Sequence, residues 1–465
     1  MYKSPSNTRQ ISLFWDLASM LDTKLPLYKL ANLVGWDTFE RSFAPLYCKG
    51  NGRMAKPVRL MVSLLVLKHL RNVSDESVVE QFSENADYQY FCGMKSFTTQ
   101  RPCVPTELAE FRRRIGEAGM ELILKESIRV NLLLDDKRRE DDGRRDGKDG
   151  RGRKPEAGQT AFIDSTVQEK NVTFPTDSKL LNKIIDFCRD VARAEHLKVR
   201  QSYARKIKGL KLVQRFRGRK NSSAKVRKVD RRMRTIAGRL LRELVRNLPP
   251  ENAYRERIDV CMKFVNGERT DGHKIYSLYE PDVVCISKGK DYRKYEFGNK
   301  VSIVRLWNGL IVGALSFRNE YDGHTIDRAM EQVGRVYDQK IKILAGDRGY
   351  RGQENCGDIS VMIPGVLKAS DSPHTRKKKQ RLFRKRAAIE PVIGHCKRDH
   401  RMGKNFYKGL FGDAINVMLA AAAFNFKKAM RLLLCLLRTM LKWTVLYVNH
   451  NFYGTKVQLN TICWS

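Results

Sequence analysis

Three carboxylates stand apart from the other acidic residues by their surroundings. Asp164 lies in AFIDST, an apolar strand-like run where a charge is costly unless it has a use or a partner. Asp347 follows IKILAG and precedes the turn DRGYRG, so it projects from the carboxyl end of a strand, the edge where open α/β sheets place ligands. Glu390 sits in RKRAAIEPVIGHCKRDH, a helical pattern after the last strand. Singly, each reads as a cap or an ion-pair partner. Together they match two-metal phosphoryl chemistry, in which carboxylates from different elements converge on divalent ions about 3.5–4 Å apart. Magnesium takes oxygen ligands and keeps several waters, so three such groups suffice.

The neighbours of Glu390 fit the same chemistry. On one continuous helix, Phe383 would lie about 20° from Glu390, Arg386 about 40° and Lys397 about 20°. An aromatic ring and two cations beside a carboxylate suit a phosphate chain running past metal ions. Pro391 marks a helix start or break here, which would move Phe383 and Arg386 into the preceding turn.

The elements that must position these groups form two patterns. Residues 1–134 read as helical, from RLMVSLLVLKHL with Ser74 as a following cap, to TELAEFRRRIGEAGMELILKESIRVNLLL. The arginines of FRRRIG suit either a solvated face or a DNA-contacting helix. The charged stretch DDKRREDDGRRDGKDGRGRK has no apolar residue to bury, and 135–158 is expected to be a flexible linker. Two strands, 159–167 and 169–177, should follow, then a meander in which Asn308-Gly309 marks a hairpin, then strands alternating with helices. This pattern predicts a mixed α/β sheet over 159–430, interrupted by a basic helical insertion at 178–257 and followed by a helical tail at 431–465.

The charge balance concerns partners. The 465 residues carry 89 Lys plus Arg against 51 Asp plus Glu, a net of +38. Between Lys179 and Arg246 there are 23 basic and 5 acidic residues, so this segment alone holds +18. Such density calls for a polyanion, DNA or RNA, with Arg215, Arg217, Arg219 and Lys220 at its centre. Ten scattered cysteines with no CxxC pair exclude a zinc cluster or a disulfide framework and point to a reducing, cytosolic compartment. Near the C-terminus, Arg431, Arg438 and Lys442 interrupt the apolar run, so a packed helix is expected there and no membrane anchor.

With these motifs in place, the chain resembles bacterial insertion-sequence DDE transposases bearing a Y-x2-R-x3-E-x6-K signature. Here the motif reads Phe383-x2-Arg386-x3-Glu390-x6-Lys397, with phenylalanine replacing the usual tyrosine. GDRGYRG around Asp347, and FIDSTV around Asp164 followed by FPTD, resemble the two aspartate motifs. KPVRLMVSLLVLKHLRNVSDESVVEQFSENADYQYFCG resembles the N-terminal domain. The resemblance implies an RNase H-like catalytic core carrying an insertion and preceded by an all-α domain that binds DNA ends. It also implies a triad of Asp164, Asp347 and Glu390 holding two Mg²⁺ ions, with Mn²⁺ able to substitute. The implied partners are double-stranded DNA, as element ends and target, and a second copy in a synaptic homodimer. Two alternatives remain open: an RNase H-like nuclease without strand transfer, and a DNA-binding repressor that has lost catalysis. Tyr350 and Trp307 are candidates to stack on an unpaired base, with core packing as the plainer role. His395 and His400 are candidates for DNA contact.

Overall fold

The computed structural model describes residues 16–452 apart from 49, 51–52, 144–155, 217–222, 269–270, 288–293, 319, 353–354 and 366–371. The N-terminal third is helical: α1 (Pro26–Leu33), α2 (Val58–Arg71), α3 (Asp75–Glu84) and α4 (Pro105–Gly143). Ser74 caps α3, its side chain accepting from Ser77 N at 3.1 Å. Gly116 breaks α4 at φ 64°, a left-handed conformation that glycine adopts without strain. Of the FRRRIG arginines, Arg112 is neither solvated nor free for DNA. It is buried, makes two 2.9 Å hydrogen bonds to Asp75, and lies over the ring of Tyr407. Beyond residue 134, α4 runs nine residues into the expected linker, and Asp135 accepts from Asn308 at 3.0 Å. Residues 144–155 lie outside the described residues.

The sheet begins with β1 (Thr160–Lys170). This is one strand, not two joined by a turn; Phe174 to Thr176 of FPTD lie in the loop that follows, where Thr176 caps the helix that Asp177 begins. The insertion is α5 (Asp177–Ala194), α6 (Ala204–Arg215), α7 (Ser223–Asn247) and α8 (Arg255–Asn266). Its apolar core continues to Leu278, some twenty residues past the expected boundary at 257. The chain then returns as β2 (Val284–Ser287), β3 (Tyr295–Leu306) and β4 (Ile311–Phe317), with Gly309 at φ 86° in the β3–β4 turn. Helix α9 (Ile326–Val336) leads to β5 (Ile343–Ala345), β6 (Asn355–Cys356) and β7 (Ile359–Met362), and the buried Gln332 bonds both N and O of Ala314 to hold α9 on β4. Helices α10 (Pro373–Arg386) and α11 (Ile389–Asp399), the short β8 (Lys404–Asn405) and α12 (Gly409–Phe452) complete the order.

In the sheet, β4 pairs antiparallel with β3, β3 antiparallel with β1, β1 parallel with β5, and β5 parallel with β7. Antiparallel strands on one side of a central strand and parallel ones on the other make this the RNase H-like mixed sheet, preceded by helices and carrying the basic helical insertion.

Helix α12 crosses the boundary expected at 430 without a break. Over Gly409–Cys435 it is long and apolar enough to span a membrane, yet 72% of its apolar window is buried inside the protein. Four consecutive buried alanines, Ala420–Ala423, let it approach its neighbours closely. Asn425 stitches it to β4 through both N and O of Ile311, and to α4 through Ser127.

Candidate active site

Backbone register brings the two aspartates together. Phe162 of β1 pairs with Ala345 of β5 in parallel, so two residues further along each chain Asp164 and Asp347 flank the same edge. Asp164 Oδ1 accepts from Ser165 N at 2.9 Å. Asp347 caps the short turn Arg348–Tyr350, its Oδ1 accepting from Gly349 N at 2.8 Å, and this fixes its rotamer. Glu390 is the second residue of α11 and is exposed.

The electrostatics tie the three groups into one field. Asp164 is pushed up to about 6, first by burial and then by the negative charge of Asp347; Glu390 adds to the rise, while Arg386 and the Ser165 N–H oppose it. The Arg386 guanidinium lies 3.6 Å from Asp164 Oδ2, with both side chains less than one-fifth exposed.

Helix geometry corrects one expectation. Helix α10 ends at Arg386 and α11 starts at Ile389, so Phe383 and Arg386 do not share a helix with Glu390 and Lys397. After the break at Ala387-Ala388, Pro391 is the third residue of the new helix, in the first turn where proline costs no backbone hydrogen bond. Glu390 and Lys397 remain on one face of α11, Phe383 is half-buried on α10, and Arg386 reaches Asp164 from the end of α10.

Two supporting residues escaped sequence reading. Arg305 of β3 lies over the Phe162 ring and donates to the carbonyl of Lys385 at 2.5 Å, which holds the end of α10 over the sheet. Asp322 accepts from Ser165 Oγ at 2.7 Å and pairs with Lys300 at 2.9 Å, bracing the residue beside Asp164. An arginine inside a β-run, and an aspartate in NEYDGHT just after the β4 run, were the available signals.

Tyr350 is fully buried and belongs to the core. Trp307 sits 5.7 Å from Phe162, with Arg381 and Lys385 over its ring. His395 pairs with Asp399 at 2.7 Å, and His400 is buried against the carbonyl of His69, so it cannot reach DNA. Arg215 is exposed at the end of α6, whereas Arg217, Arg219 and Lys220 lie outside the described residues. Among the described residues, no three His, Cys, Asp or Glu side chains converge tightly enough to hold a metal ion as they stand.

Comparison with known proteins bears on the family. Residues 15–114 match a family model described as a transposase domain (DUF772), and residues 283–426 match one described as a transposase DDE domain. The second match includes Asp347 and Glu390; Asp164 precedes it. A relative from Rhizobium meliloti, described as an uncharacterized protein ORF8 in the nfe locus, is 34% identical over 209 residues, covering 45% of this chain and 93% of that one. No solved structure matches. The two family matches, to a transposase helical region and to a transposase DDE domain on a mixed sheet, carry one conclusion: the chain belongs to the DDE transposases, DNA-acting enzymes of phosphoryl transfer whose chemistry depends on divalent metal.

Proposed function

We propose that this transposase binds the terminal inverted repeats of its own insertion sequence, cleaves the phosphodiesters there and joins the freed ends to target DNA, as a homodimer in the synaptic complex. Asp164, Asp347 and Glu390 hold the metal, two Mg²⁺ ions for which Mn²⁺ substitutes. The observation that carries this reading is the parallel register that puts Asp164 and Asp347, from segments far apart in the chain, at one sheet edge, with Arg386 from the end of α10 beside Asp164. The donor set fits a hard divalent cation: all its ligand atoms are oxygens, and burial and the Asp347 charge, which together lift Asp164, are penalties on its anionic form that a cation would offset. When bound, such ions activate a water or 3′-hydroxyl and stabilise the leaving oxygen. The chain's own residues supply the positioning. Ser165 N–H and Arg386 orient Asp164, the Gly349 N–H orients Asp347, and Arg386 and Lys397 with Phe383 line the path of the cut strand. The insertion, with Arg215, Arg217, Arg219 and Lys220, neutralises duplex phosphates.

The test separates ligand from scaffold. Asp164→Asn, Asp347→Asn and Glu390→Gln keep volume and remove charge, so each should abolish Mg²⁺-dependent cleavage of a labelled end duplex while gel shifts show binding intact. Nicking by Asp347→Asn at the wild-type rate overturns the triad.

A further inference from the structure

A cleft of about 300 Å³ opens where the end of β1, the start of α5, the return segment around Tyr276–Glu280 and the segment Asn405–Lys408 meet. It is at the small end of ligand clefts. Two of its aromatic rings stand in solvent, Phe406 at 56% and Tyr279 at 58% exposure. Rings this exposed are open to a ligand that can lie against them. Cations crowd them. Arg401 and Lys404 lie 5.4 and 6.0 Å from the Phe406 ring, and Arg257 and Lys183 lie 4.3 and 5.9 Å from that of Tyr279. Lys179 and Lys408 are exposed along the same walls. The carboxylate in the lining, Glu280, is engaged by Lys170 at 3.3 Å and by Gly409 N at 2.9 Å.

Exposed π-faces set among cations fit a polyanion whose own flat groups are free to stack. Paired DNA keeps its bases stacked inside the duplex, so an aromatic platform adds nothing there; an unpaired strand offers a face for each ring. We propose that this cleft binds an unpaired DNA strand, with Phe406 and Tyr279 stacking on its bases and Lys179, Lys183 and Lys408 facing its phosphates. Because β8 pairs with Glu169 and Lys170, the cleft begins six residues along β1 from Asp164, about 20 Å away. The source of the strand, a duplex end frayed at the cut, rests on the proposed transposition reading; the binding itself does not.

Fluorescence anisotropy on the full chain tests it with labelled oligo(dT), a blunt duplex and heparin, a polyanion without bases. Phe406→Ala and Tyr279→Ala should each weaken oligo(dT) binding about tenfold or more, Phe406→Trp should preserve it, and heparin binding should be unchanged in all three. Wild-type affinity for oligo(dT) in both alanine variants overturns the proposal. So does a loss on heparin equal to that on oligo(dT), which would mark the effect as charge or misfolding. Cleavage surviving in Asp164→Asn would sink the triad and leave this cleft standing, whereas undiminished oligo(dT) binding by both alanine variants sinks the cleft alone.

Discussion

The N-terminal helices, the sheet and α12 share one continuous apolar core, from Leu27 through Phe162 to Leu433, whereas the insertion closes on a core of its own, from Leu180 through Leu241 to Leu278. Polar chemistry differs too. At the end of β1, Lys170 is 98% buried and pairs with the fully buried Asp413 of α12 at 2.9 Å. Asp413 also accepts from Asn299 and Asn405, and Asn416 links Gln168 to His69 of α2. The insertion's ion pairs, such as Lys211–Asp186 and Arg255–Asp259, are partly exposed instead. The regions matched by the two family models are therefore one folding body, while most of the insertion's charge sits on a unit with separate packing. Self-repulsion among its arginines thus stays off the core that aligns the carboxylates.

The sharpest way to break this comparison is truncation. Deleting residues 1–134 strips α12 and the sheet of their cover, so the remainder should show no cooperative thermal transition by circular dichroism. A truncated chain that melts sharply would mean the N-terminal helices are a separate domain after all. A smaller effect comes from paired core variants. Lys170→Met leaves Asp413 buried and unpaired, a loss of about 3–5 kcal/mol; Leu241→Ala in the insertion costs about 2–5 kcal/mol. Hydrogen exchange should show β1 and β3 amides losing protection in the first and keeping it in the second. Equal losses in both would erase the distinction. Smallest in stability is the alanine replacement of Arg215, Arg217, Arg219 and Lys220, within about 0.5 kcal/mol per site. Its effect should lie in DNA affinity, lowering the log–log salt slope by about 0.9 for each phosphate no longer neutralised. An unchanged slope across a KCl series would show that these residues miss the backbone.

What could be read in the chain followed from local chemistry. Asp164 stands out because the residues before it, Ala161 to Ile163, are buried apolar side chains, and Asn308-Gly309 announces its turn because few other pairs tolerate the required backbone. The errors have physical causes. Lacking apolar residues, 135–143 has nothing to bury, yet Lys, Arg and Glu are good helix formers, and the packed face ending at Leu134 propagates the helix onward. Splitting β1 into two strands followed from its polar residues, but Gln168 and Lys170 point inward to partners on α12 more than 240 residues away, which no local pattern reveals. Arg305 and Asp322 are hidden for the same reason, since their meaning lies in Lys385 and Ser165.

Helix α12 packs on α4, α2 and α1, so the last described element of the chain covers helices of its N-terminal third. During synthesis the N-terminal helices leave the ribosome with their apolar stripe uncovered and wait for the partner that completes it. At about 5–20 residues per second that wait lasts on the order of tens of seconds. A chain released before α12 emerges should therefore keep the separate apolar core of the insertion but lack the cover that α12 gives the N-terminal helices and β4. Translation through α12 is thus a condition for assembling the sheet with its helical cover.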